Sequence, residues 1–293
     1  MRILFIGSVE FSLKALQKLV DINANIVGVC TKESSNFNSD FANLAPICKS
    51  NSIPCIYVKN INSEQNINWV KELKPDIIFC FGWSSLIKKE LLDLPPMGII
   101  GFHPANIPQN RGRHPLIWAL VLGLEESAST FFFMEEGADD GDILSQEKFD
   151  ILYKDDAQTV YNRVVNVALN QIEIFLYQLE SKTFTRLKQN HKLANTWRKR
   201  DIKDGQIDFR MDSFAVYNLV RGLSKPYIGA HIKYKDKDIK VWKVEEIDCR
   251  EKNIEPGKVI THDNNTIIVK CNKNAVKILK HEFNNLPKLG EYL

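Results

Sequence analysis

With only fourteen glycines and eleven prolines among 293 residues, the chain has no long Gly/Pro-rich linker. Its six cysteines, Cys30, Cys48, Cys55, Cys80, Cys249 and Cys271, form no C-x-x-C pair. That argues against metal ligation or a disulfide framework, and leaves small buried hydrophobes in a reducing compartment. No apolar run approaches the ~20 residues of a membrane helix. The opening MRILFIGSVEFS has one positive charge and a short apolar run, but no small-residue cleavage site behind it. It reads as a first β-strand, not a secretory leader. Charge excess is lacking too: 39 Lys and Arg against 36 Asp and Glu leave +3, too mild to imply nucleic acid. What remains is globular composition, 44% hydrophobic and 26% charged, in a length that suits one large domain or two ordinary ones. The expectation is a soluble, cytoplasmic chain with no membrane partner.

The first half alternates strand-like and helix-like segments. Strand-like runs are RILFIG at 2–7, NIVGVCT at 25–31, PCIYV at 54–58, DIIFCFG at 76–82, GIIGF at 98–102 and STFFF at 129–133. Helical spacing marks 11–22 and 63–73. Apolar runs without alternation are buried on both faces, and strands separated by helices are most simply parallel. An α/β fold is expected, a mostly parallel Rossmann-like sheet with flanking helices. An amphipathic helix follows at 157–179. The stretch Ser181–Arg200 then carries seven Lys and Arg and no acid. It is placed as a basic linker, 181–200, between a catalytic domain, 1–180, and a C-terminal domain, 201–293. In that last part the short runs AHIKY, IKVWKV, GKVIT, TIIVKC and AVKILK predict a small, barrel-like all-β domain.

The turn Gly7-Ser8-Val9-Glu10-Phe11-Ser12 has one glycine where a dinucleotide fingerprint needs three. A plain βα turn is expected, with Ser8 or Ser12 at the helix N-terminus, where a phosphate can rest. The densest chemistry is Gly101–Pro115 (GFHPANIPQNRGRHP), where a buried strand runs out into a segment with two His, two Asn and two Arg. Strand ends of α/β sheets are where ligands bind. Glu135–Asp142 (EEGADDGD) follows the next strand. A histidine and a nearby carboxylate can make a general acid/base pair; the acidic run read alone is equally a solvated turn or a Mg²⁺ site.

RILFIG, the H-P-x-x-x-P-x-x-R-G-R stretch at His103–Arg113 and A-D-D-G-D at Ala138–Asp142 together resemble the N10-formyltetrahydrofolate-dependent formyltransferases. That family includes enzymes acting on methionyl-tRNA, phosphoribosylglycinamide and nucleotide-sugar amines. TWRKRDIKDGQIDF at 196–209, KPYIGA at 225–230 and IKVWKV at 239–244 extend the resemblance to the C-terminal domain of the tRNA and sugar enzymes. The resemblance implies a catalytic Asn-x-His at a strand end plus an Asp. His103 and Asp139 match, whereas the Asn position falls on Gly101. Asn106, Asn110, a backbone N–H or a water is left to polarise the formyl oxygen, and Asn106 is assigned that role; otherwise turnover is reduced. For the folate the resemblance implies Ser85, Leu86 and Ile87, the loop Ala105-Asn106-Ile107-Pro108, and Glu135, Glu136, Gly137, Ala138 and Asp139. Read plainly, Ser85–Ile87 is the start of a helix. The resemblance implies N10-formyltetrahydrofolate as co-substrate and no metal, and is compatible with a homodimer.

The tRNA enzymes carry a basic loop after the second strand. Here that loop, Thr31–Phe41, has one lysine against two acids, which does not attract phosphate-rich RNA. Arg111-Gly112-Arg113, with Pro115, Leu116 and Trp118 after it, looks more like the nucleotide-sugar enzymes. The expected acceptor is therefore the amine of an amino sugar, nucleotide-linked. Arg113 would fork onto a carboxylate or diphosphate, with Ser8, Glu10 and Trp83 as further substrate contacts. Methionyl-tRNA is the alternative, and a folate- or nucleotide-binding protein without turnover a third.

Overall fold

The unbroken apolar runs of the first half become buried strands, because a strand covered on both faces has no polar side to alternate with. The structure is a computed structural model that describes residues 1–35 and 40–293. In chain order its elements are β1 (Ile3–Ile6), α1 (Glu10–Asp21), β2 (Ile26–Thr31), α2 (Ala45–Ser50), β3 (Cys55–Tyr57), α3 (Glu64–Leu73), β4 (Ile77–Cys80), α4 (Lys89–Leu92) and β5 (Ile99–His103). There follow β6 (Arg111–Gly112), α5 (Pro115–Val121), β7 (Glu126–Phe133), β8 (Ile143–Asp150), α6 (Ala157–Glu180) and β9 (Thr196–Trp197). The chain ends with α7 (Ser213–Gly222), β10 (Ala230–Tyr234), β11 (Lys237–Ile247), β12 (Val259–Asp263), β13 (Thr266–Lys270) and β14 (Ala275–His281). No helix among the described residues is long and apolar enough to cross a membrane.

Two compact units share the chain. The first is Met1–Gly112, Ala128–Phe149 and Arg163–Trp197; the second is Arg113–Ser127, Asp150–Asn162 and Arg198–Leu293. In the first, seven strands lie in the order β3-β2-β1-β4-β5-β7-β8. The pairs from β3 through β5 are parallel, and β7 runs antiparallel to β5. A cluster of phenylalanines fills one side of this sheet: Phe79 stacks on Phe81, and Phe131 meets both Phe81 and Phe175 of α6. Burying each such ring stabilises the fold by about 1.5–3 kcal/mol. The buried stripe Val164, Val165, Ala168, Ile172, Phe175 and Leu176 gives α6 its helical period.

The second unit carries an antiparallel five-stranded sheet, order β10-β11-β14-β13-β12, and every β-rich run of the last ninety residues falls on one of its strands. A helix the sequence reading did not mark, α7, packs on this sheet. Val216, Leu219 and Val220 are buried against Val241, Val244 and Ile278. Its first turn is capped by Asp212, whose carboxylate accepts from Ala215 N–H at 2.7 Å.

Candidate active site

Residues two apart in a strand share a face, so Gly101 and His103 of β5 look one way and Phe102 the other. Phe102 is anchored by Phe11 at 4.1 Å and Phe131 at 4.9 Å between ring centroids. That apolar contact decides which face of β5 receives the imidazole. His103 is only 5% exposed. Its Nε2 lies 2.8 Å from the backbone carbonyl of Asn110. A carbonyl only accepts, so Nε2 carries a proton, and in the neutral ring Nδ1 holds the lone pair. Nδ1 faces Asp139 Oδ2 at 3.7 Å.

Asp139 stands in the left-handed region, φ +57, which Asp tolerates better than most residues. Its Oδ2 accepts from the Gly112 N–H at 3.0 Å. Gly112 is at φ +102, and a Cβ there would meet the Trp197 carbonyl at 2.3 Å. Only glycine brings that N–H to the carboxylate while β6 pairs with β9.

At Gly101 the reason for glycine lies in the neighbouring strand. Register places Gly101 opposite Phe132 and His103 opposite Thr130. A Cβ on Gly101 would come within 2.9 Å of Met134 Cγ and 3.0 Å of the Phe132 ring. The space an asparagine side chain would need is thus filled by Phe132 and Met134, which pack with Ile107 and Ile143.

An α/β unit that bears this pair, together with a β-rich unit, matches known proteins in sequence family and in fold. Residues 1–173 match the family described as formyl transferase, and residues 200–289 match the formyl transferase C-terminal domain. The chain belongs to the formyl transferase family. A methionyl-tRNA formyltransferase from Caldanaerobacter subterraneus subsp. tengcongensis is 29% identical over 301 residues, spanning 100% of this chain and 96% of that one. An N-formyltransferase from Helicobacter canadensis, solved with folinic acid and dTDP-3-aminofucose, has TM-score 0.71 at 16% identity and covers 95% of this chain and 98% of that one. A HypX variant from Aquifex aeolicus has TM-score 0.69 at 18% identity; 96% of this chain covers 45% of that one. At such identities the two structures speak for the fold. The reaction class of the family is formyl transfer from a formyltetrahydrofolate.

The formyltransferase loop after β5 is pinned from behind. Thr130 Oγ1 donates to the Ala105 carbonyl at 2.7 Å, and Gln146 Nε2 donates to the Ile107 carbonyl at 2.8 Å. Ala105 and Ile107 are buried, whereas Asn106 and Pro108 between and beyond them are half-exposed. The Asn106 side chain makes no hydrogen bond to another described residue, so its amide is free to meet a ligand. Glu135, Glu136, Gly137 and Ala138 are exposed, and Glu136 lies 3.6 Å from Lys89.

Ser85–Ile87 do not begin a helix; α4 starts at Lys89. Asn62 is the reason. Its amide donates to the Leu86 carbonyl at 2.8 Å and its oxygen accepts from Lys88 N–H at 2.8 Å, holding the segment open. Ser85 and Leu86 are exposed while Ile87 is buried. Trp83 packs on the cluster of Ile87 and Leu91, with Lys32 Nζ 4.8 Å from its ring centroid. Its indole N–H is buried without a partner among the described residues, as is the hydroxyl of Ser8. Glu10 is exposed at the start of α1, where Ser12 Oγ accepts from the Ser8 and Val9 N–H groups at 3.1 Å each. Arg113 belongs to the second unit, next to His114. Burial, then the charges of Arg113, Arg200 and Lys199, hold the His114 pKa below its ordinary value. Of the Thr31–Phe41 loop, positions 36–39 lie outside the described residues.

Besides the Gly112 N–H, sequence reasoning missed three groups around this pair. The Asn110 carbonyl that holds His103 is a backbone group, and no side-chain pattern reports it. Gln189 and Asn195 sit in the stretch read as a basic linker. Neither charge nor periodicity marks them.

Proposed function

We propose that this formyltransferase moves the formyl group of N10-formyltetrahydrofolate onto the primary amine of an amino sugar carried on a nucleotide. The amine lone pair attacks the formyl carbon, the new C–N bond forms, and the bond from that carbon to folate N10 breaks. One proton leaves the amine and one reaches N10. His103 is the proton carrier, through Nδ1, since Nε2 is committed to Asn110. Asp139 Oδ2 faces that nitrogen at 3.7 Å. With Gly101 in the Asn position, Asn106 supplies the donor for the developing oxyanion, a role worth ~10²–10³ in rate. The donor is already activated, so the scheme needs no metal.

The choice of acceptor rests on one observation: the Thr31–Phe41 loop carries one lysine against two acids. A loop of that charge is poorly suited to RNA phosphates. Arg113 is assigned to the substrate's diphosphate or carboxylate, and Ser8, Glu10 and Trp83 to further contacts. Methionyl-tRNA is the second reading, favoured by the name of the 29% identical relative. A panel of amino-sugar nucleotides and charged initiator tRNA, assayed by mass spectrometry from 50 to 200 mM salt, separates the two. A sugar acceptor should lose little activity over that range, and Arg113→Ala should raise its KM more than it lowers kcat. Efficient formylation of tRNA, falling ~10³-fold or more over that range and indifferent to Arg113, would reject the sugar reading.

A further inference from the structure

Residues 174–199 lie between the two family matches. Within the first unit this segment returns to both loops that carry the site. Leu187 exchanges two backbone hydrogen bonds with Ile143, at 2.8 and 2.9 Å. Asn195 takes the Asn110 N–H on its side chain at 2.8 Å and the Arg111 N–H on its carbonyl at 3.1 Å. β9 then pairs in parallel with β6. Between these ties stands Gln189, 6% exposed. Its Nε2 donates to the Asp139 carbonyl at 2.9 Å and to the Gly141 carbonyl at 2.6 Å, and its Oε1 accepts from Arg111 at 2.6 Å. The orientation of the amide is unambiguous, because carbonyls only accept and a guanidinium only donates.

One amide therefore spans both halves of the site. On one side it holds the carbonyl of Asp139 itself, a residue in left-handed backbone, and that of Gly141 two residues on. On the other it holds Arg111, whose neighbours in the chain are Asn110, which fixes His103 Nε2, and Gly112, which fixes the Asp139 carboxylate. A buried side chain using both N–H groups and its oxygen has one low-energy pose, and its partners inherit that pose.

We propose that Gln189 is a positioning residue, holding the Asp139 carboxylate at its separation from His103 Nδ1. The proposal rests on the reading of His103 and Asp139 as the proton-transferring pair, and is independent of the acceptor. Its first readout needs neither donor nor acceptor: the ¹⁵N-resolved imidazole spectrum of ¹⁵N-histidine-labelled protein, with the His103 signals assigned by their loss in His103→Ala. Gln189→Met keeps length and loses all three hydrogen bonds; Gln189→Asn keeps the amide but withdraws it by one methylene. In either variant the His103 Nδ1 resonance should move in the direction seen in Asp139→Asn. With the acceptor found by the panel, kcat should fall about 10- to 100-fold and the KM for the formyl donor should stay within about threefold. An Nδ1 resonance unmoved in a folded variant overturns the proposal, as does a parent-like kcat where His103→Ala has lost its turnover. Failure of both variants to fold also overturns it, since Gln189 would then be scaffold. If His103→Ala keeps its turnover while the Gln189 variants shift the resonance, the catalytic pair fails and the positioning stands.

Discussion

His103 Nδ1 and Asp139 Oδ2 stand 3.7 Å apart, beyond hydrogen-bond distance, while the other nitrogen of the same ring lies 2.8 Å from the Asn110 carbonyl. The carboxylate is thus an electrostatic neighbour of the imidazole and not the group that aims it. Aim comes from the Asn110 backbone, and the carboxylate is held in turn by the Gly112 N–H. In the neutral ring the lone pair is therefore on Nδ1, not on Nε2. A charge gained there would sit opposite Asp139.

His103→Ala removes that nitrogen and leaves the pinned loop of Ala105 and Ile107 in place. Turnover should fall by ~10²–10⁴, the usual range for losing a general acid/base. Affinity for folinic acid, measured by calorimetry, should stay within a few-fold. A variant that turns over at the parent rate would remove His103 from the chemistry.

Gly101→Asn restores the residue of the resembled pattern, yet Phe132 and Met134 occupy its space. Overpacking of this kind costs about 1–3 kcal/mol. The melting temperature should drop by several degrees, with no gain in kcat. Adding Phe132→Leu should recover a substantial part of the loss, a coupling that a double-mutant cycle reads directly. Simple additivity of the two changes would show that Phe132 does not fill the vacancy.

Acid should weaken the second unit. His231, 4% exposed on β10, has its pKa held below the ordinary value by burial, with Lys240 adding to and Asp238 opposing the shift. His114 is shifted the same way, with Asp204 opposing. The unfolded chain takes up these protons near pH 6.5 and the folded chain only at lower pH, so stability declines as pH falls below that point. Calorimetric melting at pH 7.5 and pH 5 should show the loss, and His231→Gln should flatten the dependence. An equal slope in parent and variant would exclude His231 as a contributor.

The alternation of elements, nearly every strand of both sheets and the long helix were legible in the chain, because a strand buried on both faces and a one-sided helix each impose a local period on their residues. His103 and Asp139 were singled out in the sequence as a candidate pair, and the structure brings Nδ1 and Oδ2 to 3.7 Å. The helix expected at Ser85–Ile87 was not formed, because Asn62, remote in sequence, takes the backbone groups a helix would use. Nor could sequence reveal that Phe132 fills the space beside Gly101, which depends on the register of β7 against β5. The same holds for the Asn110 carbonyl, the Gly112 N–H and the amide of Gln189, which lies 48 and 50 residues beyond its carbonyl partners. Periodicity reports which face of an element is buried. Hydrogen bonds between backbone groups and distant side chains exist only once folding has brought them within 3 Å, and no local pattern records them.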